Sequence, residues 1–315
     1  MTVADERLEV ASSPLRGRGP LPEVVVPDPG SMFRWHEHDY PHPLARWHSH
    51  PEIEVHLIRA GTGLGFVGDH IGRFEAGHLV LVGSDVPHNW ISELREGQQL
   101  PGRDVVLQIH PERMQALAHV APEAHDVVAL FGEAARGIEF FGSSASVAAM
   151  HLEAIGVSGG STRLRHLFAL FETLSAAPPE ERRYLSSGAT LPDVDTSAHL
   201  KVDAVIRFVT EHLDGEVRLG DAAAHVGMSP SALSRFFRRT AGRGFAETVR
   251  RLRVIRACAL LEETTLPIAD ICYSSGFQNL SNFNRQFRAE TGTTPGAYRR
   301  GSSGGRVSHS GSGSG

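Results

Sequence analysis

From residue 33 to 109 the chain alternates apolar and polar positions in short runs broken by Gly and Asp, as in EIEVHLI (52–58), GLGFVG (63–68), HLVLVG (78–83) and DVVLQIH (104–110). Runs of that length and spacing predict an all-β barrel or sandwich over residues 31–110. After Pro111 the period changes. PERMQALAHV, EAHDVVALFGEAARG, SSASVAAMHLEAIG and STRLRHLFALFETLSAA carry apolar residues at helical spacing, so 111–177 is predicted to be a helical extension. In the last of these, Leu164, Leu167, Phe168, Phe171 and Leu174 share one stripe, which packs either on the strands or on the same stripe of a second copy. Residues 178–198, rich in Pro, Ser and acids, read as a linker, and 199–300 as a second helical domain. The Pro- and Gly-rich residues 1–30 read as a flexible arm, and the Gly/Ser run 301–315 as a disordered tail.

Composition narrows the function class. With 41% hydrophobic and 21% charged residues the chain is neither wholly disordered nor membrane-embedded. No apolar run approaches the ~18 residues of a spanning helix, and the opening MTVADERLEV is acidic and polar where a signal peptide is basic and then apolar. The expected location is cytoplasmic, with no membrane partner. Cys258 and Cys272 have no CxxC spacing and read as small buried apolar residues. Charge is distributed unevenly: residues 1–198 hold 15 basic and 26 acidic side chains, net -11, whereas 199–315 hold 16 and 10, net +6. Only the second part suits a polyanion. Nine of the 18 histidines fall between His36 and His88.

In the basic part, LGDAAAHVGMSPSALSRFFRRTAG (219–242) places Leu219, Ala222, Ala223 and Val226 on one helix and Gly227 at a tight turn that needs a positive φ. Ser229 is placed to cap a second helix on which Leu233, Phe236 and Phe237 face inward, leaving Ser231, Ser234 and Arg235 on the opposite face. That is a helix-turn-helix. Forty-nine residues after Gly227 the arrangement recurs in IADICYSSGFQNLSNFNRQFRAETG (268–292), with Gly276 at the turn and Phe283 and Phe287 inward. Between the two units FAETVRRLRVIRACALLEE (245–263) predicts a helix of about 19 residues, about 28 Å long, close to one turn of DNA.

Residues 199–300 resemble the DNA-binding domain of the AraC/XylS family of bacterial transcription regulators. The matching positions are Arg253, Ala257, Leu260, Leu261, Thr264, Ile268, Ile271, Gly276, Phe277, Ser281, Phe283, Arg285, Phe287, Gly292, Thr294, Pro295, Tyr298 and Arg299. The resemblance implies base or backbone contact by Ser231, Ser234 and Arg235 on the first recognition helix and by Ser281, Asn282 and Arg285 on the second. Arg238, Arg239 and Arg288 are then phosphate clamps. Arg pairs bidentately with guanine and Asn with adenine, while Ser mostly reaches phosphate. Arg285 has a second expected role, tying its helix to a carboxylate such as Asp270.

In the histidine-rich part, His48, His50 and Glu54 stand at i, i+2 and i+6, one face of an extended strand, and His88 follows in GHLVLVGSDVPHNW (77–90) as a fourth donor. Three His and one carboxylate suit a divalent Zn, Mn, Fe or Ni ion. The alternative is a polar cluster that holds no ion. His56 shares the inward parity and is placed to support the set, whereas His36, His38, His42, His70 and His78 are expected on the surface or in loops. Trp35, Trp47 and Trp90 wall a pocket or fill the core.

Residues 33–109 resemble the cupin superfamily: HxH, three residues, Glu54, six residues, Gly61 match its first motif, and His88 the ligand of its second. The second motif departs at Gly83, Asp85 and Ser92, where Pro, Gly and Asn are usual. The expected architecture is α+β, with an N-terminal cupin-like β-barrel, a helical extension that carries dimerisation, and a C-terminal all-α domain with two helix-turn-helix units. The expected function is a sequence-specific transcriptional regulator, not an enzyme, whose sensor domain binds a small-molecule effector, directly or through the metal. Its expected partners are double-stranded DNA, the effector, RNA polymerase and a second copy of the chain. The alternative is a metal-dependent cupin enzyme, an oxygenase or isomerase, fused to an autoregulatory DNA-binding domain.

Overall fold

The structure is a computed structural model that describes residues 25–305, apart from Val26, Pro29, Pro43, Leu44, Glu96 and residues 188–195. Most of the expected arm (1–30), part of the expected linker and residues 306–315 of the expected tail lie outside the described residues. The chain divides into two compact units that part between Asp203 and Ala204, with Arg239–Gly242 grouped with the first.

The first unit opens with seven strands, β1 (Arg34–Tyr40), β2 (Ile53–Ile58), β3 (Gly63–Val67), β4 (His70–Phe74), β5 (Leu79–Val82), β6 (His88–Ser92) and β7 (Leu100–Ile109). Helices α1 (Pro111–Val120) and α2 (His125–Glu133), a strand β8 (Ile138–Phe140), helices α3 (Gly142–Val157) and α4 (Gly160–Ser175), and a strand β9 (Arg182–Tyr184) follow. The strands form two sheets, a six-stranded one in the order β1-β7-β2-β5-β8-β9 and a three-stranded one in the order β4-β3-β6. Neither closes into the barrel expected from the sequence. The reason lies at β5, whose outer edge is taken by β8 and then β9, so the large sheet extends sideways. β8 interrupts the helical extension, and β9 falls in the stretch read as linker. Three-residue strands carry too little period to be seen in a sequence.

Alternation along β2 explains why both of its faces are buried. Ile53, Val55 and Leu57 join Leu79, Leu81, Val105, Leu107 and the inner faces of α1–α4 in one core. Ile58 points the other way and joins Val80, Val82, Val67, Phe74 and Trp90 in a smaller core shared by the two sheets. Glu54 and His56 share Ile58's parity, which carries polar side chains into the same inter-sheet layer.

The apolar stripe of α4 splits. Leu167, Leu170, Phe171 and Leu174 are fully buried, worth roughly 1.5–3 kcal/mol each, whereas Leu164 and Phe168 remain 41% and 37% exposed. The buried arc is centred one position away from the stripe predicted from spacing. Leu167, Phe171 and Leu174 are therefore core of this chain and offer nothing to a second copy.

The second unit is helical, with α5 (Thr196–Glu211), α6 (Leu219–His225), α7 (Pro230–Ala241), α8 (Phe245–Glu263), α9 (Ile268–Ser274), α10 (Leu280–Thr291) and α11 (Pro295–Gly305). α6–α7 and α9–α10 are the two helix-turn-helix units, with Gly227 and Gly276 at φ +67° and +83° in their turns. α8 has the predicted 19 residues. Its C-terminal half (Val254, Ala257, Cys258, Leu261) shares a core with Ile271, Cys272, Phe277, Phe283 and Phe287. Both cysteines are buried thiols, as expected. α11 runs to Gly305, into residues read as tail from their Gly/Ser composition.

Candidate functional site

Two groups of side chains concentrate chemistry, one inside the first unit and one on the surface of the second. In the first, His48, His50, Glu54 and His88 each offer one donor atom, and these atoms lie within 4.8 Å of one another. The convergence has a different cause from the one read in the sequence. Only Glu54 lies on β2, because the chain bends at Pro51 and Glu52. His48 is instead fixed by a two-way backbone bridge to His88, with N–H donating to carbonyl oxygen at 2.8 and 3.2 Å.

Orientation of the rings follows from their other nitrogens. His88 Nδ1 donates to the Val86 carbonyl at 2.8 Å and His48 Nδ1 to the Arg46 carbonyl at 2.6 Å. A carbonyl can only accept, so each Nδ1 carries a proton, and in the neutral ring each Nε2 is the atom that presents a lone pair. His88 Nε2 is buried without a hydrogen-bond partner, 3.6 Å from Glu54 Oε1. His50 Nε2 stands 3.0 Å from Glu54 Oε2. Burial by itself raises the pKa of Glu54, yet the imidazoles of His88, His50 and His56 outweigh it and hold the carboxyl well below its ordinary value. Three imidazole nitrogens and one carboxylate, with the His48 and His88 rings held from behind by backbone carbonyls, form a donor set that fits a borderline divalent cation.

Around this set lies a second tier that sequence reading found only in part. His56 Nδ1 meets Glu54 Oε1 at 2.8 Å, the supporting place expected for it, and its ring stacks on Trp90 at 3.8 Å. Gln108 Nε2 donates to Glu54 Oε2 at 3.0 Å. Asp104 accepts from the Arg103 guanidinium and faces His38 Nδ1 at 2.9 Å. Burial acts to raise the Asp104 pKa, but His38, His56 and Arg103 drive it far below the carboxylate range. Burial also opposes a charge on His56, and Asp104 and Glu54 on either side hold its pKa above the ordinary value.

A small pocket opens here, lined by His36, His38 and His42 together with Glu54, His56, Asp104 and Gln108. His36 and His38 thus line the pocket from β1 and are not the surface or loop residues expected, whereas His42 joins them from the loop after β1, where a loop residue was expected. The signal available was their own alternation, but which parity faces inward depends on β1 pairing with β7 at His36–Val106 and His38–Asp104. His70 and His78 border a separate small cavity, where His78 Nδ1 faces Glu139 at 3.2 Å.

On the second unit the recognition helices repeat their exposure at an offset of fifty positions. Leu233 and Phe237 on α7, like Phe283 and Phe287 on α10, are fully buried. Ser231, Ser234, Arg235, Arg238 and Arg239 are exposed, as are Ser281, Arg285 and Arg288. Asn282 is half-buried, and its Oδ1 accepts from Arg285 at 2.9 Å. Arg285 therefore leans on Asn282, not on the Asp270 considered from sequence. Asn284, missed in the sequence, is exposed at the position matching Ser234. Ser229 caps α7 by accepting from Ala232 N at 3.3 Å, and Asn279 caps α10 by accepting from Asn282 N at 2.8 Å.

Residues 222–301 match a family model described as a helix-turn-helix domain. The regulatory protein PocR of Salmonella typhimurium is 37% identical over 100 residues, 32% of this chain and 33% of its own length. The chain thus spans only about a third of that relative. Regulatory protein SoxS of Salmonella typhimurium is 32% identical over 98 residues, 31% of this chain but 92% of its own length. The HTH-type transcriptional activator RhaR of Cronobacter sakazakii is 26% identical over 267 residues, 83% of this chain and 89% of its own. Two helix-turn-helix units around a 19-residue helix, and a match spanning nearly the whole of a regulator at 32% identity, place the chain in the AraC/XylS family of transcriptional regulators.

Proposed function

We propose that the chain is a DNA-binding transcriptional regulator that reads duplex DNA with α7 and α10 and is controlled by a ligand in the inter-sheet cavity. The carrying observation is the repeated face of the two recognition helices, apolar inward and Arg/Ser/Asn outward. Arg235 and Arg285, with Ser231, Ser234, Ser281 and Asn282, meet bases or backbone, and Arg238, Arg239 and Arg288 clamp phosphates. RNA polymerase is the further partner of such a regulator. Among the described residues no helix is long and apolar enough to cross a membrane.

The control reading rests on the donor set. His48, His50, Glu54 and His88 hold one divalent ion, Zn, Mn, Fe or Ni, and the cavity beside it takes a small polar effector. When bound, the ion supplies Lewis acidity toward an effector oxygen. The buried, unpartnered Nε2 of His88 supports this reading, since a polar atom in that state is costly without a partner.

A second copy docks on the outer face of α3 and α4, where Val147, Met150, Val157, Leu164 and Phe168 remain between 37% and 91% exposed. Two tandem readers joined in this way gain effective concentration on repeated sites.

Selection of duplexes from a random pool by the full chain tests the DNA reading, and binding equal on random and selected duplexes overturns it. Metal analysis of protein purified without a tag or chelating resin tests the ion. Absence of stoichiometric metal, with no shift of Tm or DNA affinity on adding Zn, Mn, Fe or Ni, overturns it. Met150→Glu with Phe168→Glu should give folded monomers, and an unchanged dimer moves the interface elsewhere.

A further inference from the structure

Two reading helices recognise one site only if their separation and rotation are held, and the second unit shows how. α8 is welded to the second helix-turn-helix by the shared core and by Arg251 donating to Glu290 at 3.1 Å, and to α11 by Tyr298 Oη donating to Glu262 at 2.6 Å. α5 is tied to the first helix-turn-helix by the ring contact of Phe208 with His225, centroids 5.2 Å apart. The two halves meet at the Phe237–Phe245 ring contact between α7 and α8, centroids 6.1 Å apart, and where the chain leaves α5, at Leu213 and Gly215.

Arg253, on α8, donates from Nε to the Leu213 carbonyl at 3.3 Å and from its terminal nitrogen to the Gly215 carbonyl at 2.8 Å. Both carbonyls lie just past the end of α5, where the helix dipole and unsatisfied oxygens favour a cation. Gly276, in the turn of the second unit, closes on the same point. A Cβ there would stand 2.0 Å from the Leu213 carbonyl oxygen and 2.7 Å from Arg253 Nε. Gly227 occupies the equivalent turn of the first unit, and a Cβ there would meet nothing within 4 Å. The turn conformation alone requires glycine at 227, whereas 276 also needs the absence of a side chain to let α5 approach. The asymmetry marks Gly276 as a docking position as well as a turn.

We propose that Arg253 and Gly276 form a clasp that fixes the spacing between α7 and α10, making Arg253 a positioning residue that sets which separation of two base blocks the chain accepts. Arg253 acts through the Leu213 and Gly215 carbonyls and need not touch DNA. The inference rests on the DNA reading above. One base pair more or less between the blocks turns one reader about 34° from its groove, so a stiff protein must discriminate among spacings and a loosened one must not.

The test uses the full chain, a duplex it selects from a random pool, and variants of that duplex with one or two base pairs inserted or deleted between the blocks. Wild type should show a sharp optimum. Arg253→Ala should bind the selected spacing about tenfold more weakly, show a spacing penalty reduced at least fivefold, and match wild type on a duplex with one block scrambled. Arg253→Lys, which keeps the charge but loses the fork, should fall between. A spacing profile of Arg253→Ala that superimposes on wild type overturns the clasp, as does an equal loss on one-block and two-block duplexes. If Arg253→Ala does not fold, Arg253→Gln keeps one donor and carries the same outcomes. A wild-type chain that enriches no duplex overturns the DNA reading and the clasp with it, whereas a sharp wild-type profile left intact by Arg253→Ala overturns the clasp alone.

Discussion

The first unit keeps its reactive groups inside: His50, Glu54, His88, Arg103, Asp104 and Gln108 are all 3% exposed or less, and each is held by another. The reading helices keep their arginines outside, at Arg235, Arg238, Arg239, Arg285 and Arg288, over an apolar core around α8–α10 beside which small hydroxyl residues such as Thr248 and Ser275 are buried. In the buried arrangement Glu54 is held by His50 and Gln108, and Asp104 by Arg103, so much of its chemistry and its stability are the same interactions. On the exposed face the arginines are screened by water and carry little folding energy. Substitutions at the inner site must therefore perturb fold and function together, and substitutions on the outer face must separate them.

The largest break in that contrast should come from Asp104→Ala, which leaves the Arg103 guanidinium buried without its carboxylate. Removing one partner of a buried ion pair costs about 3–5 kcal/mol, so urea unfolding of the full chain should lose that much. A loss under about 1 kcal/mol would show that Arg103 reaches water and that the inner site is not self-supporting.

Acid should act next, through the first unit. Burial raises the Glu139 pKa, but His78 and Arg183 outweigh it and bring it to about 2 from an ordinary 4.5. A depressed folded value contributes stability that is present above about pH 4.5 and is lost as pH falls toward 2. Glu139→Gln should cost up to about 3 kcal/mol at neutral pH and flatten the acid limb of stability over that window. An acid limb unchanged by the substitution would mean that the pair does not survive in solution.

On the outer face, Arg235→Ala should lower affinity for a selected duplex by about 1–3 kcal/mol and relax preference at one base pair, with folding stability unchanged within about 0.5 kcal/mol. A comparable loss of folding stability would erase the separation between the two units. The smallest effects belong to the caps of the reading helices. Asn279→Ala should cost about 1 kcal/mol and Ser229→Ala about half of that, because the Asn279 bond is 2.8 Å and the Ser229 bond 3.3 Å. Thermal melts of the two variants side by side would show whether the second reader is the more firmly capped.

Legibility followed the range of the interactions. α8 and both helix-turn-helix units were readable because helical spacing, turn glycines and capping residues act within a few positions of the chain. His48, His50, Glu54 and His88 were readable as a set although the stated geometry was only partly right: the chain bends before β2, and the His48–His88 bridge does the converging. Asp104 and Gln108 were not readable as site residues, since in DVVLQIH they look like the solvent face of an ordinary strand. They face inward because β7 pairs with β2 at Glu54–Gln108 and Ile58–Asp104.

By itself the sequence determined what local chemistry can determine: two helix-turn-helix units repeated about fifty positions apart, a rigid helix between them, a basic second part, and four metal-type donors in one segment. Only the tertiary structure decided that β8 and β9 extend the large sheet and leave it open, that Leu167, Phe171 and Leu174 are core while Leu164 and Phe168 are not, and that His36, His38 and His42 line the cavity. It also decided that Gly276 must admit the Leu213 carbonyl while Gly227 meets no neighbour. The physical reason is common to all of them: strand register, the partner of a helix face and the approach of one backbone to another are set by residues far away in the chain, and a period of two or 3.6 positions carries no information about them.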